Sequence, residues 1–226
     1  MPDKRYKVKA IILRRVDYGE FDRILTFLTD SRGKIGAMVK GARKPKSKLA
    51  GGIELFSVSN LVLIEGKGEL DLVISSRLDT HYGNILSQYE RMRVGYRAIE
   101  LVQANTESEA GEEYFNLLKT SFEQLNDETI DERVVEVWFS LQLLAITGRQ
   151  PNLKEDDKGA KLAAEKNYVF DPDNGVFVEK ENGNIDARHI KAWRLLLSKT
   201  PKQLRAVSGI DKVAFETLPL LEHMLA

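Results

Sequence analysis

Between Ser31 and Ile53 the chain carries Arg32, Lys34, Lys40, Arg43, Lys44, Lys46 and Lys48 and no acidic residue. Their densest stretch, Lys40-Gly41-Ala42-Arg43-Lys44-Pro45-Lys46-Ser47-Lys48, reads as a flexible basic loop following a strand. Such a cluster attracts a polyanion. Each cation that meets a phosphate releases a condensed counterion, so affinity falls steeply with salt. Glycine and serine let the backbone approach phosphate oxygens closely. A solvated loop, or a sheet edge guarded by lysines, is the competing reading of the same residues. Sequence-tolerant binding of unpaired bases needs aromatic rings to stack on, and the basic segment has none. Tyr18 and Phe56 are the nearest, and Phe56 also reads as core. The residues thus favour phosphate contact over base stacking, and a binder that is indifferent to sequence and open to double strands.

Little in the chain is arranged for covalent chemistry. Glu20 and Asp22, within Asp17-Tyr18-Gly19-Glu20-Phe21-Asp22-Arg23, are a carboxylate pair of the kind that holds a nuclease metal. A third acidic ligand or a catalytic histidine nearby would be expected, and the sequence supplies no clear one. The favoured reading is a turn bent at Gly19, with Glu20 or Asp22 paired to Arg14, Arg15 or Arg23. His81, His189 and His223 lie far apart, outside any ligand spacing. There is no phosphate-binding loop, dinucleotide fingerprint or nucleophile elbow. The lack of cysteine removes disulfides, thiol catalysis and cysteine-bound zinc. The expectation is a protein that is not an enzyme and needs no cofactor. Nearer the C-terminus, Arg188, Lys191, Arg194, Lys199, Lys202 and Arg205 surround an apolar helix containing Trp193, Leu196 and Leu197. That surface suits an acidic-hydrophobic peptide, or is simply a helix with one buried and one solvated face.

The elements that must position these residues follow from periodicity. Val8, Ala10 and Ile12 alternate as in a half-buried strand, and further strands are predicted over Arg23 to Thr29, Ile35 to Val39, Phe56 to Glu65 and Glu69 to Arg77. Gly66-Lys67-Gly68 joins the last two as a hairpin. Five short strands without an intervening long helix predict a small closed barrel of the OB type. Beyond residue 82 the period is helical. One stripe is Ile85, Tyr89, Met92, Tyr96, Ile99 and Val102, a second Phe115, Leu118, Phe122 and Leu125, and a third Val134, Trp138, Leu141 and Ala145. Thr106 with Glu109, and Thr129 with Glu132, have capping-box spacing, while Gly148 and Pro151 stop the third helix. Residues 149–184 are polar and irregular, with a hairpin pairing 168–170 with 176–178. A helix capped by Asp186 and a last one from about Asp211, broken or kinked at Pro219, complete the chain.

The fold class is therefore α+β. An OB-type barrel over 1–80 precedes a helical domain over 81–226, which has an irregular insertion at about 149–184. The net charge of zero hides a division. Residues 1–80 hold 16 basic against 10 acidic side chains, a net +6, and the rest hold 18 against 24, a net −6. The first part is the half suited to a polyanion. The apolar run Ala10 to Leu13 is too short for a signal peptide and is closed by Arg14 and Arg15. No stretch approaches the roughly 18 apolar residues that span a bilayer, so a cytoplasmic protein without membrane contact is expected.

Several segments resemble the RecO family of bacterial recombination mediators. They are Ala10-Ile11-Ile12-Leu13-Arg14-Arg15, Asp17-Tyr18-Gly19-Glu20-Phe21-Asp22-Arg23-Ile24-Leu25-Thr26, Gly41-Ala42-Arg43-Lys44-Pro45-Lys46-Ser47-Lys48-Leu49 and Gly66-Lys67-Gly68-Glu69-Leu70. A looser likeness continues to Gly148-Arg149-Gln150-Pro151-Asn152-Leu153. The resemblance implies an N-terminal OB-fold and a mostly helical remainder. It also implies binding to single- and double-stranded DNA and annealing of complementary strands. With RecR, such a protein helps load RecA onto DNA coated by the single-strand-binding protein. The phosphate-binding role then falls on Arg43, Lys44, Lys46 and Lys48, joined by Lys34 and Lys40. The implied partners are DNA, RecR and the acidic tail of the single-strand-binding protein, with RecF a further candidate. The implied location is the bacterial cytoplasm, at the nucleoid when active. Many members carry a four-cysteine zinc site after the Pro-Asn-Leu stretch, where this chain has Lys154-Glu155-Asp156-Asp157-Lys158. The favoured reading is a zinc-less variant whose module is replaced by ordinary packing, and the alternative is a different insertion over 154–184. The rival reading is an adaptor whose basic loop binds an acidic protein.

Overall fold

The first strand, β1 (Arg5–Tyr18), is apolar on both faces through its middle. Val8, Ala10 and Ile12 enter the interior of a barrel, while Ile11 and Leu13 are buried on the opposite side. The structure, a computed structural model, describes residues 4–106 and 111–226. β2 (Asp22–Thr29) returns antiparallel to β1, with Tyr18 opposite Asp22 and a bulge between Ile12 and Arg14. β3 (Lys34–Val39) pairs with β2, and β4 (Ser57–Ile64) and β5 (Leu70–His81) form the next hairpin. A short parallel pairing of Gly36–Met38 with Leu70–Leu72 and the antiparallel pairing of β1 with β4 close the barrel in the order β1-β2-β3-β5-β4. Closure removes the free edges that an open five-stranded sheet would expose. The lysine-guarded sheet edge of the competing sequence reading therefore has no counterpart at β3. Leu25, Phe27, Val39, Leu61, Leu63 and Val73 fill the interior.

The chain divides into two compact units, 1–126 and 127–226. The first holds the barrel and two helices, α1 (Tyr89–Ala104) and α2 (Glu112–Asn126), which pack against β1 and β2. A 3-10 turn over Gly83–Ser87 precedes α1 and takes in Ile85, the start of the expected stripe. The buried face of α1 keeps Ile99 and Val102 of that stripe and leaves out its two tyrosines, Tyr89 at 71% and Tyr96 at 39% exposed, taking Arg91, Val94, Gly95 and Ala98 instead. Two contacts accompany the difference. Arg91 donates to the Leu125 carbonyl at 2.8 Å, at the end of α2. Gly95 admits the Phe56 ring, which a Cβ there would meet at 2.7 Å. Phe56 is fully buried and stands edge-on to Tyr96 and Phe122, so of the two aromatics nearest the basic segment this one is core.

The second unit contains α3 (Glu132–Ile146), a hairpin of β6 (Tyr168–Asp171) and β7 (Val176–Glu179), α4 (Ala187–Ser198), the one-turn α5 (Pro201–Leu204) and α6 (Ile210–Met224). The predicted hairpin is present, and its Tyr168, Phe170 and Phe177 cluster with Trp193 of α4. The cap of α3 is Asp131, which accepts from the Arg133 amide at 2.9 Å, and not Thr129. The Thr129 hydroxyl is already donated to Asp127 Oδ1 at 2.6 Å. Glu109 of the other expected box lies outside the described residues, and the Thr106 hydroxyl donates back to the Val102 carbonyl at 2.7 Å. Asp186 caps α4 as expected, in a reciprocal box with His189. Pro219 does not break α6, which runs on to Met224. Segment 154–162 closes around Asp156, whose carboxylate accepts from the Lys158 and Ala160 amides, both at 2.9 Å. No helix among the described residues is long and apolar enough to cross a membrane.

Candidate nucleic-acid interface

The β1–β2 turn and the segment after β3 meet at one end of the barrel. Gly19, at φ +58°, makes the bend that joins the strands. The Gly41 amide donates to Asp22 Oδ1 at 2.7 Å, and the Arg43 amide donates to the Phe21 carbonyl at 2.9 Å. Residues 41–53 then run through successive turns, not a free loop. Lys44 N–H donates to the Gly41 carbonyl and Ser47 N–H to the Lys44 carbonyl. Ala42 and Ile53 insert into the barrel core, and Leu49 packs against it. The Leu49 carbonyl accepts from Ser76 Oγ at 2.7 Å. Buried Val39 and Ala42 on one side and Ile53 on the other therefore hold the cations at the surface, and Lys40, Arg43, Lys44, Lys46 and Lys48 are all exposed. Among the described residues Lys40, Lys46 and Lys48 take part in no ion pair.

The carboxylates of the turn are structural. Asp17 accepts from Arg23 Nε at 3.0 Å and faces Arg43 Nε at 3.5 Å. The hydrogen bond from Arg23, aided by the Arg43 and Arg15 charges, holds its carboxyl below the usual range against a smaller push from burial. The expected pairing of Glu20 or Asp22 with arginine is thus taken by Asp17, and Asp22 serves the Gly41 amide instead. Among the described residues no group of three or more His, Asp or Glu side chains is placed to hold a metal.

The structure brings five of the six expected phosphate-binding residues together and sets Lys34 apart. Lys34 begins β3, about 17 Å of extended strand from Val39. Its ammonium donates to the carbonyls of Thr106 and, at 3.2 Å, Gln103, where α1 ends. It neutralises the negative end of a helix dipole. Beside the five cations stand two side chains that the sequence reading did not assign to the site. Tyr18 is 53% exposed at the end of β1, and Phe21 is 39% exposed in the turn, with Lys44 Nζ 5.5 Å above its ring.

The cations near the C-terminus are more dispersed than expected. Trp193 and Leu196 are core, and Arg194 donates to the Leu153 carbonyl at 3.1 Å. Arg188 and Lys191 instead share a slot of about 290 Å³ with Lys212 and the apolar Ala192, Leu195, Val207, Ile210 and Val213, between α4 and α6.

Residues 1–80 match the family model described as Recombination protein O N terminal, and 86–226 match Recombination protein O C terminal. The chain is 38% identical over 149 residues to the DNA repair protein RecO of Desulfatibacillum aliphaticivorans, a match covering 65% of this chain and 58% of that protein, under two thirds of its length. It is 36% identical over 175 residues to the protein of the same name from Dehalococcoides mccartyi (strain ATCC BAA-2266 / KCTC 15142 / 195), covering 76% and 68%. With that of Roseiflexus sp. (strain RS-1) it shares 35% identity over 230 residues, covering 100% and 80%. A closed five-stranded barrel, a helical remainder and both halves of the family pattern in order place this chain in the RecO family.

Proposed function

We propose that this chain is a DNA-binding recombination mediator in DNA repair, acting without covalent catalysis. It binds single- and double-stranded DNA through Lys40, Arg43, Lys44, Lys46 and Lys48, and it anneals complementary strands. Together with RecR it helps RecA load onto DNA coated by the single-strand-binding protein. The observation that carries this reading is the run of five exposed cations held at one barrel end by buried Val39, Ala42 and Ile53. Two strands repel each other as polyanions. A basic surface that holds both raises the effective concentration of each near the other. The slot with Arg188, Lys191 and Lys212 around apolar side chains supports a docking place for the acidic-hydrophobic tail of the single-strand-binding protein.

The test is the triple variant R43E/K44E/K46E. Its side chains are exposed, so the variant should keep a cooperative thermal transition, lowered slightly by loss of the Arg43–Asp17 pair, while annealing of complementary oligonucleotides is lost. Annealing at the parental rate would remove the basic segment from the site. If the parent protein binds no bare oligonucleotide at moderate salt, the adaptor reading, in which the same cations meet an acidic protein, takes its place.

A further inference from the structure

We infer that Tyr18 and Phe21 are a base-stacking platform, so that the barrel end reads unpaired bases as well as phosphates. The inference rests on the DNA-binding reading above and adds a ligand class to it, the exposed bases of a single strand. Hydrophobic side chains scattered singly on a surface need no explanation. Here two aromatic rings stand within four residues of one another in a tight turn, both solvent-exposed, with Val16 exposed on the strand beside them. Among the described residues neither ring packs against another ring. The turn is bonded to the basic segment at two points, Arg43 N–H to the Phe21 carbonyl and Gly41 N–H to Asp22. The segments that carry the rings and the cations are therefore bonded into one ridge.

The geometry decides which nucleic acid fits. Strand pairing puts Tyr18 across from Asp22 on β2. The β2–β3 register begins with Arg23 opposite Val39, so the chain leaves β3 for the basic segment beside the start of β2, where the turn bearing Tyr18 and Phe21 ends. Lys44 stands over the Phe21 ring at 5.5 Å. A phosphate drawn to Lys44 brings the neighbouring base within reach of the Phe21 ring, and Tyr18 lies three residues away on the same turn. Every base has a π face, so such stacking is tolerant of sequence. A duplex keeps its bases stacked on each other and offers only the phosphates.

The experiment compares three fluorescent probes of equal length on the full chain: an unstructured single strand, the same strand with abasic sites, and a duplex. Tyr18→Ala and Phe21→Ala are each expected to weaken single-strand binding about tenfold. Duplex and abasic binding, and the slope of affinity against salt, should stay at parental values. Tyr18→Phe should retain the parental affinity, because the ring and not the hydroxyl stacks. The inference is overturned if Y18A/F21A binds the single strand as the parent does, which gives the ridge to a protein partner. It is also overturned if the variant loses single strand and duplex equally, which makes the rings mere supports of the basic segment. Failure of the parent itself to bind any probe would instead sink the underlying DNA-binding reading.

Discussion

Lys34 and Lys44 belong to one basic stretch of sequence, yet they do different work because β3 carries them to opposite ends of a barrel. Lys34 sits on the last carbonyls of α1, and replacing it by methionine should cost about 1 kcal/mol of stability, the usual worth of a cation at a helix C-terminus. A urea midpoint would register that loss, while DNA affinity of K34M stays at the parental value. A stability unchanged and an affinity reduced would return Lys34 to the phosphate-binding set. Asp186 offers a second residue-level test. Burial pushes its carboxyl up, but hydrogen bonds from the Arg188 guanidinium and backbone amide outweigh that and hold it at about 2. The unfolded carboxyl titrates near 4, at about its ordinary value. The cap therefore contributes fully above about pH 4, and the contribution is lost as pH falls towards 2. Asp186→Ala should cost about 1 kcal/mol at neutral pH. The gap between parent and variant should then narrow on acidification across that window. A gap independent of pH would mean that the carboxylate charge is not what caps α4.

Among the elements, the strands were legible because period two and the Gly66-Lys67-Gly68 loop survive in isolation, and the closed barrel follows from their number. The parallel pairing of β3 with β5, which completes closure, leaves no mark in local sequence. Helix positions were legible, and so were Ile99 and Val102 on the buried face of α1, but its first turns were not. Arg91 reads as solvated until the Leu125 carbonyl is in place, and Gly95 reads as a weakness until the Phe56 ring lies against it. Gly95→Ala sets two effects against each other. Helix propensity favours alanine by about 1 kcal/mol, whereas overpacking a core costs about 1–3 kcal/mol. Phe56 is fully buried, holds φ at +51° and is wedged by Tyr96 and Phe122. Its ring has little room to yield to a methyl group at 2.7 Å, so overpacking should win and the variant should melt lower than the parent. A raised melting temperature would show that the ring gives way and that the close approach is not what shapes this face.

At the scale of the whole molecule, charge is the property most plainly written in the sequence, and the site was legible to the extent that it is charge. Net +6 over residues 1–80 against −6 over the rest marks the half suited to a polyanion. What composition does not convey is which cations are free. The fold spends Lys34 on a helix end, shares Arg43 with Asp17 and leaves Lys40, Lys46 and Lys48 unpaired among the described residues. Tyr18 stands out in the sequence as an aromatic near the basic segment but Phe21 does not, and only the turn hydrogen bonds bring the turn that carries both beside the cations. Salt dependence measures this whole-molecule property directly. Five phosphate contacts to a single strand predict a slope of log affinity against log salt of about −3.5, at about −0.7 per contact. Lys46→Gln and Lys48→Gln, each exposed and unpaired, should each reduce the steepness by about 0.7. Arg43→Gln should reduce it by less, because its charge is already partly met by Asp17 at 3.5 Å. Titrations of one oligonucleotide at four or more salt concentrations would rank these variants. Equal effects from Arg43 and Lys46 would mean that DNA displaces Asp17 on binding. A parental slope near zero would mean that phosphates are not what the basic end of the barrel holds.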